Sequence, residues 1–261
     1  MIITLQYYLR IIYTSLIILP IIAFSWKQSF ATNIFIEPVS IPKNAMIIDI
    51  RTTQITRIPG ALSISMHELK NKSFLILKNK PLIIIHEGYG CKHLIKAIDR
   101  LSNVGFQSVH LLKGGINAWV HSGRRIEGDV FEKKQLNFIS PHFVFEDKDN
   151  IQVIEICKKN SSDLNAFLPH IKNLSMDSKT FIQDIISILH QAQNKWYSVI
   201  ASDHTDWYDM INKKLPDSCK QSVFFLNNGT RSYVDFIKKQ HMTWNHKGKV
   251  KINGPCRKCN Q

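Results

Sequence analysis

The chain has 261 residues, 44% of them hydrophobic, which is enough for one large domain or two small ones with packed cores. That content excludes disorder as a description of the whole chain. The formal net charge is +14, yet the basic residues are scattered or paired, as at Lys133-Lys134, Lys158-Lys159, Lys213-Lys214 and Lys238-Lys239. No run is long enough to read as a nucleic-acid tail. The plain reading is solvated lysine; the sharper one is a surface that attracts anions such as oxidised sulfur species or acidic lipid headgroups.

Residues 1–31 read as a secretory signal peptide. Arg10 and the amino terminus supply a weakly positive start, Ile11 to Phe24 is apolar with Pro20 inside it, and Ser29-Phe30-Ala31 offers small residues for cleavage after Ala31. The apolar run falls short of a spanning helix, so membrane contact is expected only if this segment stays uncleaved as an anchor. A periplasmic or secreted location follows, and export argues against a nucleic-acid partner.

Beyond this prefix, strands alternate with helices. Ile47–Ile50, Leu82–Ile85 and Val109–Leu112 are short, apolar and rich in branched residues, as strands buried on both faces are. Leu94, Ile95, Ile98, Leu101 and Val104 have helical spacing. A linker runs from about Asp129 to Phe143. After it, Phe181, Ile182, Ile185, Ile186 and Leu189 predict a helix, and Tyr197–Ala201 and Val223–Leu226 predict strands. Such alternation gives an α/β fold, a mainly parallel sheet covered by helices.

The second half repeats the first. Met46–Arg51 matches Gln152–Cys157, Ser65-Met66 matches Ser175-Met176, and Ser108–Gly115 matches Ser222–Gly229. The offset grows smoothly from block to block, as small loop insertions would make it, so a duplicated unit is predicted. Trp119 falls opposite Tyr233. The expected units span residues 40–129 and 143–240, with a tail at 241–261.

The first unit carries a recognisable order of signals. Asp49-Ile50-Arg51 closes an apolar run; Arg57-Ile58-Pro59-Gly60-Ala61 follows; Pro81–Ile85 leads into Glu87-Gly88-Tyr89-Gly90-Cys91-Lys92; and Val109–Trp119 closes the unit through Gly114-Gly115. That order resembles the rhodanese sulfurtransferase superfamily, specifically in the first unit and in degenerate form in the second. The resemblance implies two tandem rhodanese-like domains. It also implies a loop of inward-pointing amides that cradles an anion, with a cysteine at its first position to carry sulfur as a persulfide.

Here Glu87 stands at that position. A carboxylate holds no persulfide and repels thiosulfate, and the resemblance implies an inactive copy. Gly88, Tyr89, Gly90 and Lys92 are the expected anion-binding loop, with Lys92 supplying a cation at its mouth. Cys91, near the first turn of the next helix, is the candidate relocated thiol, since a helix N-terminus favours a thiolate; the alternative is an inert small side chain. Asp49 and Arg51 are expected to brace the neighbouring loops, Gly60, Gly114 and Gly115 to make turns, and Trp119 to pack in the core. In the second unit Ser202-Asp203-His204-Thr205-Asp206-Trp207 has no cysteine. Asp203, His204 and Asp206 suggest acid–base or metal chemistry, but read more simply as a polar loop capping a helix that begins near Asp206.

Five cysteines remain after residue 31, an odd count that leaves at least one without an intrachain partner. Cys256 and Cys259 form a single Cys-x-x-Cys, read as a local disulfide, with His241 and His246 as added ligands if the tail binds zinc or copper. No cofactor and no established metal site is assigned. The expected function is an exported, non-catalytic binding or scaffold module in envelope sulfur or redox metabolism, whose partner is an envelope protein or a small sulfur-containing anion. The alternatives are a sulfurtransferase or thiol-redox protein using Cys91 or Cys256/Cys259, and metal binding through the tail.

Overall fold

A computed structural model describes residues 34–51, 56–70, 77, 79–106, 108–129, 136–157 and 163–247. The segment 1–31 expected to be a signal peptide, part of the expected linker, and Cys256 and Cys259 lie outside the described residues.

The first unit contains β1 (Phe35–Ile36), β2 (Met46–Asp49), β3 (Thr56–Arg57), β4 (Leu62–Ser63), β5 (Leu82–Ile85), α1 (Cys91–Asn103), β6 (Val109–Leu112), α2 (Gly115–His121) and β7 (Glu127–Gly128). Five strands form a sheet in the order β1-β6-β5-β2-β4, with every pairing parallel. β3 and β7 make a separate antiparallel pair.

The second unit contains β8 (Phe138–Ile139), α3 (Pro141–Asp147), β9 (Gln152–Cys157), β10 (Lys172–Ser175), α4 (Phe181–Gln191), β11 (Ser198–Ser202), α5 (Trp207–Lys214), α6 (Asp217–Lys220), β12 (Val223–Leu226) and α7 (Gly229–Lys247). Its sheet runs β8-β12-β11-β9-β10, again all parallel. Ranked by position in the chain, both sheets read first, fifth, fourth, second, third. The shared order follows from shared chemistry: short apolar strands that must be covered on both faces, joined by helical crossovers.

Each unit takes its edge strand, β1 or β8, from residues ahead of the bounds expected from sequence. Two-residue strands carry no period of their own, and they are held by the neighbouring strand: the Leu111 N–H donates to the Ile34 carbonyl, and the Phe225 N–H to the Asn137 carbonyl. The tail expected to begin at residue 241 is helical through Lys247, as the end of α7.

The cores lie on either side of each sheet. Along β5, Leu82 and Ile84 face α1, while Ile83 and Ile85 face α2 together with Trp119. That split is the two-residue side-chain period of a strand. In the second unit Val199 and Ala201 face Tyr233 and Ile237 of α7, and Ile200 faces Ile185 and Ile211 of α4 and α5. The Tyr233 cluster also takes in Cys91, with Tyr89 and Ile95 packed against it. The boundary between the units is therefore continuous core, and it runs through the loop that precedes α1.

Candidate functional site

Asp49 and Arg51 end β2 and are both buried. Arg51 meets the Asp49 carboxylate with two nitrogens, Nε at 3.0 Å and Nη2 at 2.8 Å. It also donates to the Thr56 hydroxyl at 3.0 Å and the Thr56 carbonyl at 2.7 Å. The bidentate pair satisfies charges that burial would otherwise penalise, and it fixes β3 against the sheet.

β5 ends at Ile85, where the register sets it opposite Asp49. His86 comes next and is buried. Its Nδ1 accepts the Gly88 N–H at 3.0 Å, so its Nε2 is the donor to the Leu112 carbonyl, also at 3.0 Å. Burial pulls the imidazole down to about 4, so it is neutral at neutral pH. This histidine sets the loop's first turn, and no motif in the sequence marks it.

Glu87 follows, half-buried. Burial pushes its carboxyl up, the Arg51 guanidinium pulls it down and Asp49 pushes it up again. Gly88 has φ +99, and a Cβ there would fall 2.5 Å from the ring of Phe224 in the second unit. Tyr89 packs on Phe143 and edge-on to Phe224, with centroids 4.9 and 5.5 Å away. Burial pushes its phenol up to about 12. Gly90 starts α1 with φ +69.

The N-terminus of α1 is already occupied. Asp147, the last residue of α3 in the second unit, is fully buried. Its Oδ2 accepts the Cys91 N–H at 3.1 Å and the Tyr197 hydroxyl at 2.8 Å, and its Oδ1 accepts the Lys92 N–H at 3.3 Å. Burial pushes this carboxyl up, while the bonds from Tyr197, Cys91, Lys92 and Gly90 pull it down. The amides expected to cradle a substrate anion hold a side chain of the same protein, as a helix N-terminus readily does with a carboxylate. The sequence carried no signal for Asp147 or Tyr197, because neither lies near a motif.

Of the two readings of Cys91, this geometry favours the inert side chain over the relocated thiol. Its side chain is 1% exposed and sits in the second unit's core. Burial and the Asp147 carboxylate push the thiol well above its ordinary range. Lys92 keeps an exposed side chain, but its amide belongs to Asp147. Gly114 and Gly115 take positive φ and let distant segments of the backbone meet: a Cβ on Gly114 would lie 2.0 Å from the Gln221 carbonyl oxygen, and one on Gly115 would lie 2.3 Å from that of His86. Gly60 turns in open space. Trp119 packs in the core and donates to the Arg125 carbonyl at 3.1 Å.

In the second unit, strand register pairs Ala201 with Glu155, as Ile85 pairs with Asp49. Ser202 therefore corresponds to His86 and Asp203 to Glu87, so both units have an acid at the first loop position. The local turn is also repeated, with the His204 N–H donating to the Ser202 hydroxyl at 3.1 Å. Cys157 stands where the first unit has Arg51. α5 begins at Trp207, but the side chain of Asp206 does not cap it. His204 instead stacks on Trp207 at 4.4 Å. His241 lies in α7; among the described residues no group of three metal-ligating side chains comes together.

Residues 36–122 match the rhodanese-like domain family model. No curated protein matches the chain. Among solved structures, the chain is similar to the BH2092 protein of Bacillus halodurans, at 23% identity over 42% of this chain and 86% of that one, with a TM-score of 0.33. It is similar to the rhodanese-like domain of the Alr3790 protein from Anabaena sp., at 28% identity over 34% and 86%, with a TM-score of 0.28. Across both units it is similar to a thiosulfate sulfurtransferase from Pseudomonas aeruginosa, at 15% identity over 74% of this chain and 39% of that one, with a TM-score of 0.28. The stretch that the rhodanese-like domain family model matches holds the Asp49–Arg51 brace, strands β2 to β6 and the six-residue loop.

Proposed function

We propose that this chain is a non-catalytic rhodanese-like protein that acts as a binding or scaffold module. One observation carries the reading: the Asp147 carboxylate sits on the amides of a loop whose first residue is Glu87. A sulfur carrier needs a thiolate facing those amides. Glu87 supplies a carboxyl group instead, and Asp147 engages the donors that would stabilise an anion. Cys91, the nearest thiol, is buried and held protonated. Location in the cell envelope is part of the proposal, and its support is the sequence of residues 1–31 alone.

The test is thiosulfate:cyanide sulfurtransferase turnover by the parent, Cys91→Ser and Glu87→Cys proteins. The expected result is no turnover by the parent or by Cys91→Ser, and none by Glu87→Cys while Asp147 keeps the amides. Parent turnover abolished by Cys91→Ser would make Cys91 the nucleophile and overturn the proposal.

A further inference from the structure

A cleft of about 400 Å³ lies between the two units, and none of the loop residues 87–92 lines it. That volume is within the range of small-molecule sites. On the first unit its wall includes Lys113, at the C-terminal end of β6. Parallel sheets take ligands beyond this end of their strands. On the second unit the wall includes Leu189, Lys195, Ser198, Cys219 and Ser222.

The charges and donors here favour one class of ligand. Lys113 Nζ lies 3.1 Å from Glu37 Oε1 and donates to the Gln193 carbonyl at 2.9 Å, tying the two walls together. Among the described residues Lys195 Nζ donates to a neutral group, the Asp149 carbonyl at 3.3 Å, and makes no ion pair, so its positive charge is open to a ligand. Ser198, Ser222 and Leu189 share the lining, as does Glu37, whose carboxylate is paired with Lys113. Ammonium groups and hydroxyls suit an acid group, and the apolar wall and the volume suit an organic body larger than an inorganic oxyanion.

We propose that this cleft binds a small organic anion, its acid group between Lys113 and Lys195 and its body against Leu189. No residue of the Glu87 loop lines the cleft, and the inference stands whether or not that loop is catalytic. Occupancy would clamp the two units together, since both contribute to the walls.

The test uses the full chain with benzoate and benzenesulfonate as probes and benzyl alcohol as the neutral control. Binding is measured by calorimetry. Modification of Cys219 by N-ethylmaleimide is followed by peptide mass spectrometry, with Cys157 as the internal reference. The two anions are expected to bind saturably and to slow modification of Cys219 but not Cys157, while benzyl alcohol does neither. Lys195→Gln should weaken binding about tenfold, as loss of one charge-assisted hydrogen bond does, and Lys172→Gln, on an exposed strand elsewhere, should not. Absence of Cys219 protection by either anion overturns the proposal. So does an equal loss on Lys172→Gln, which would mean general attraction to a basic surface.

Discussion

The Asp147 carboxylate of the second unit accepts the backbone N–H of Cys91, in the first, at 3.1 Å. One fully buried side chain thus joins the N-terminus of α1 to the end of α3, and through the Tyr197 hydroxyl to the residue that leads into β11. The backbone donors at this helix start, which could hold an anion, are here a fastening between two halves of one chain.

Replacing Asp147 with Ala leaves two or more amides and a phenol without an acceptor inside the core. The expected loss is about 2–4 kcal/mol, from a lost cap and unsatisfied buried donors. Urea unfolding measures it. Sulfate should stabilise Asp147→Ala more than the parent, because an anion can then enter the vacated position. Equal sulfate effects on both proteins would show that the amides do not form an anion site.

His86 gives the fold a defined acid sensitivity. Its folded value of about 4 lies below its ordinary 6.5. Above 6.5 the ring is neutral in folded and unfolded chains alike, and its contribution is intact. As the pH falls from 6.5 to about 4, the unfolded chain takes up a proton that the folded chain does not. Stability then drops by about 3 kcal/mol. The difference in unfolding free energy between pH 7 and pH 4 should be smaller in His86→Asn by that amount.

Arg51→Ala strands the Asp49 carboxylate in the interior, at an expected cost of about 3–5 kcal/mol. The double variant Asp49→Asn/Arg51→Met should lose less than Arg51→Ala, because no uncompensated charge remains. Thermal melts of the three proteins give the comparison, and a double variant weaker than the single would contradict the ion-pair reading.

Gly114→Ala places a methyl 2.0 Å from the Gln221 carbonyl oxygen at a residue with φ +71. Both backbones must separate, which should break the Asn117 Nδ2 bond to the Lys220 carbonyl, now 2.7 Å. Amide hydrogen exchange should speed up at residues 88–92 and 221–224. Gly60→Ala, with nothing within 4 Å, should cost only its backbone strain of about 1 kcal/mol and leave that exchange unchanged.

Thiol labelling of the native protein should reach Cys157 before Cys91. Cys157 is half-buried at the end of β9, whereas Cys91 is 1% exposed and packed among residues of both units. Labelling of Cys91 at the rate of Cys157 would show that the boundary between the units opens readily.

Much of the architecture was legible in the chain. The apolar runs at Leu82–Ile85 and Val109–Leu112 are the observed strands to the residue, because strands buried on both faces need continuous apolar sequence. The repeat was visible because duplicated strands keep their order: Ser63 pairs with Asp49 as Asn173 pairs with Glu155. The edge strands β1 and β8 were not legible, since two residues of pairing leave no pattern.

The sequence by itself determined the fold of the first unit, its repetition, and the carboxyl group at position 87 in place of a thiol. These are properties of residue type and local spacing. Only the tertiary structure decided what fills the loop and whether Cys91 can react. Asp147 and Tyr197 reach α1 from a separate unit, and a pattern along one chain does not encode which distant side chain will meet a helix end. The state of Cys91 turned on the same fact: a helix N-terminus activates a thiol when it faces solvent, and burial in the neighbouring unit's core reverses that.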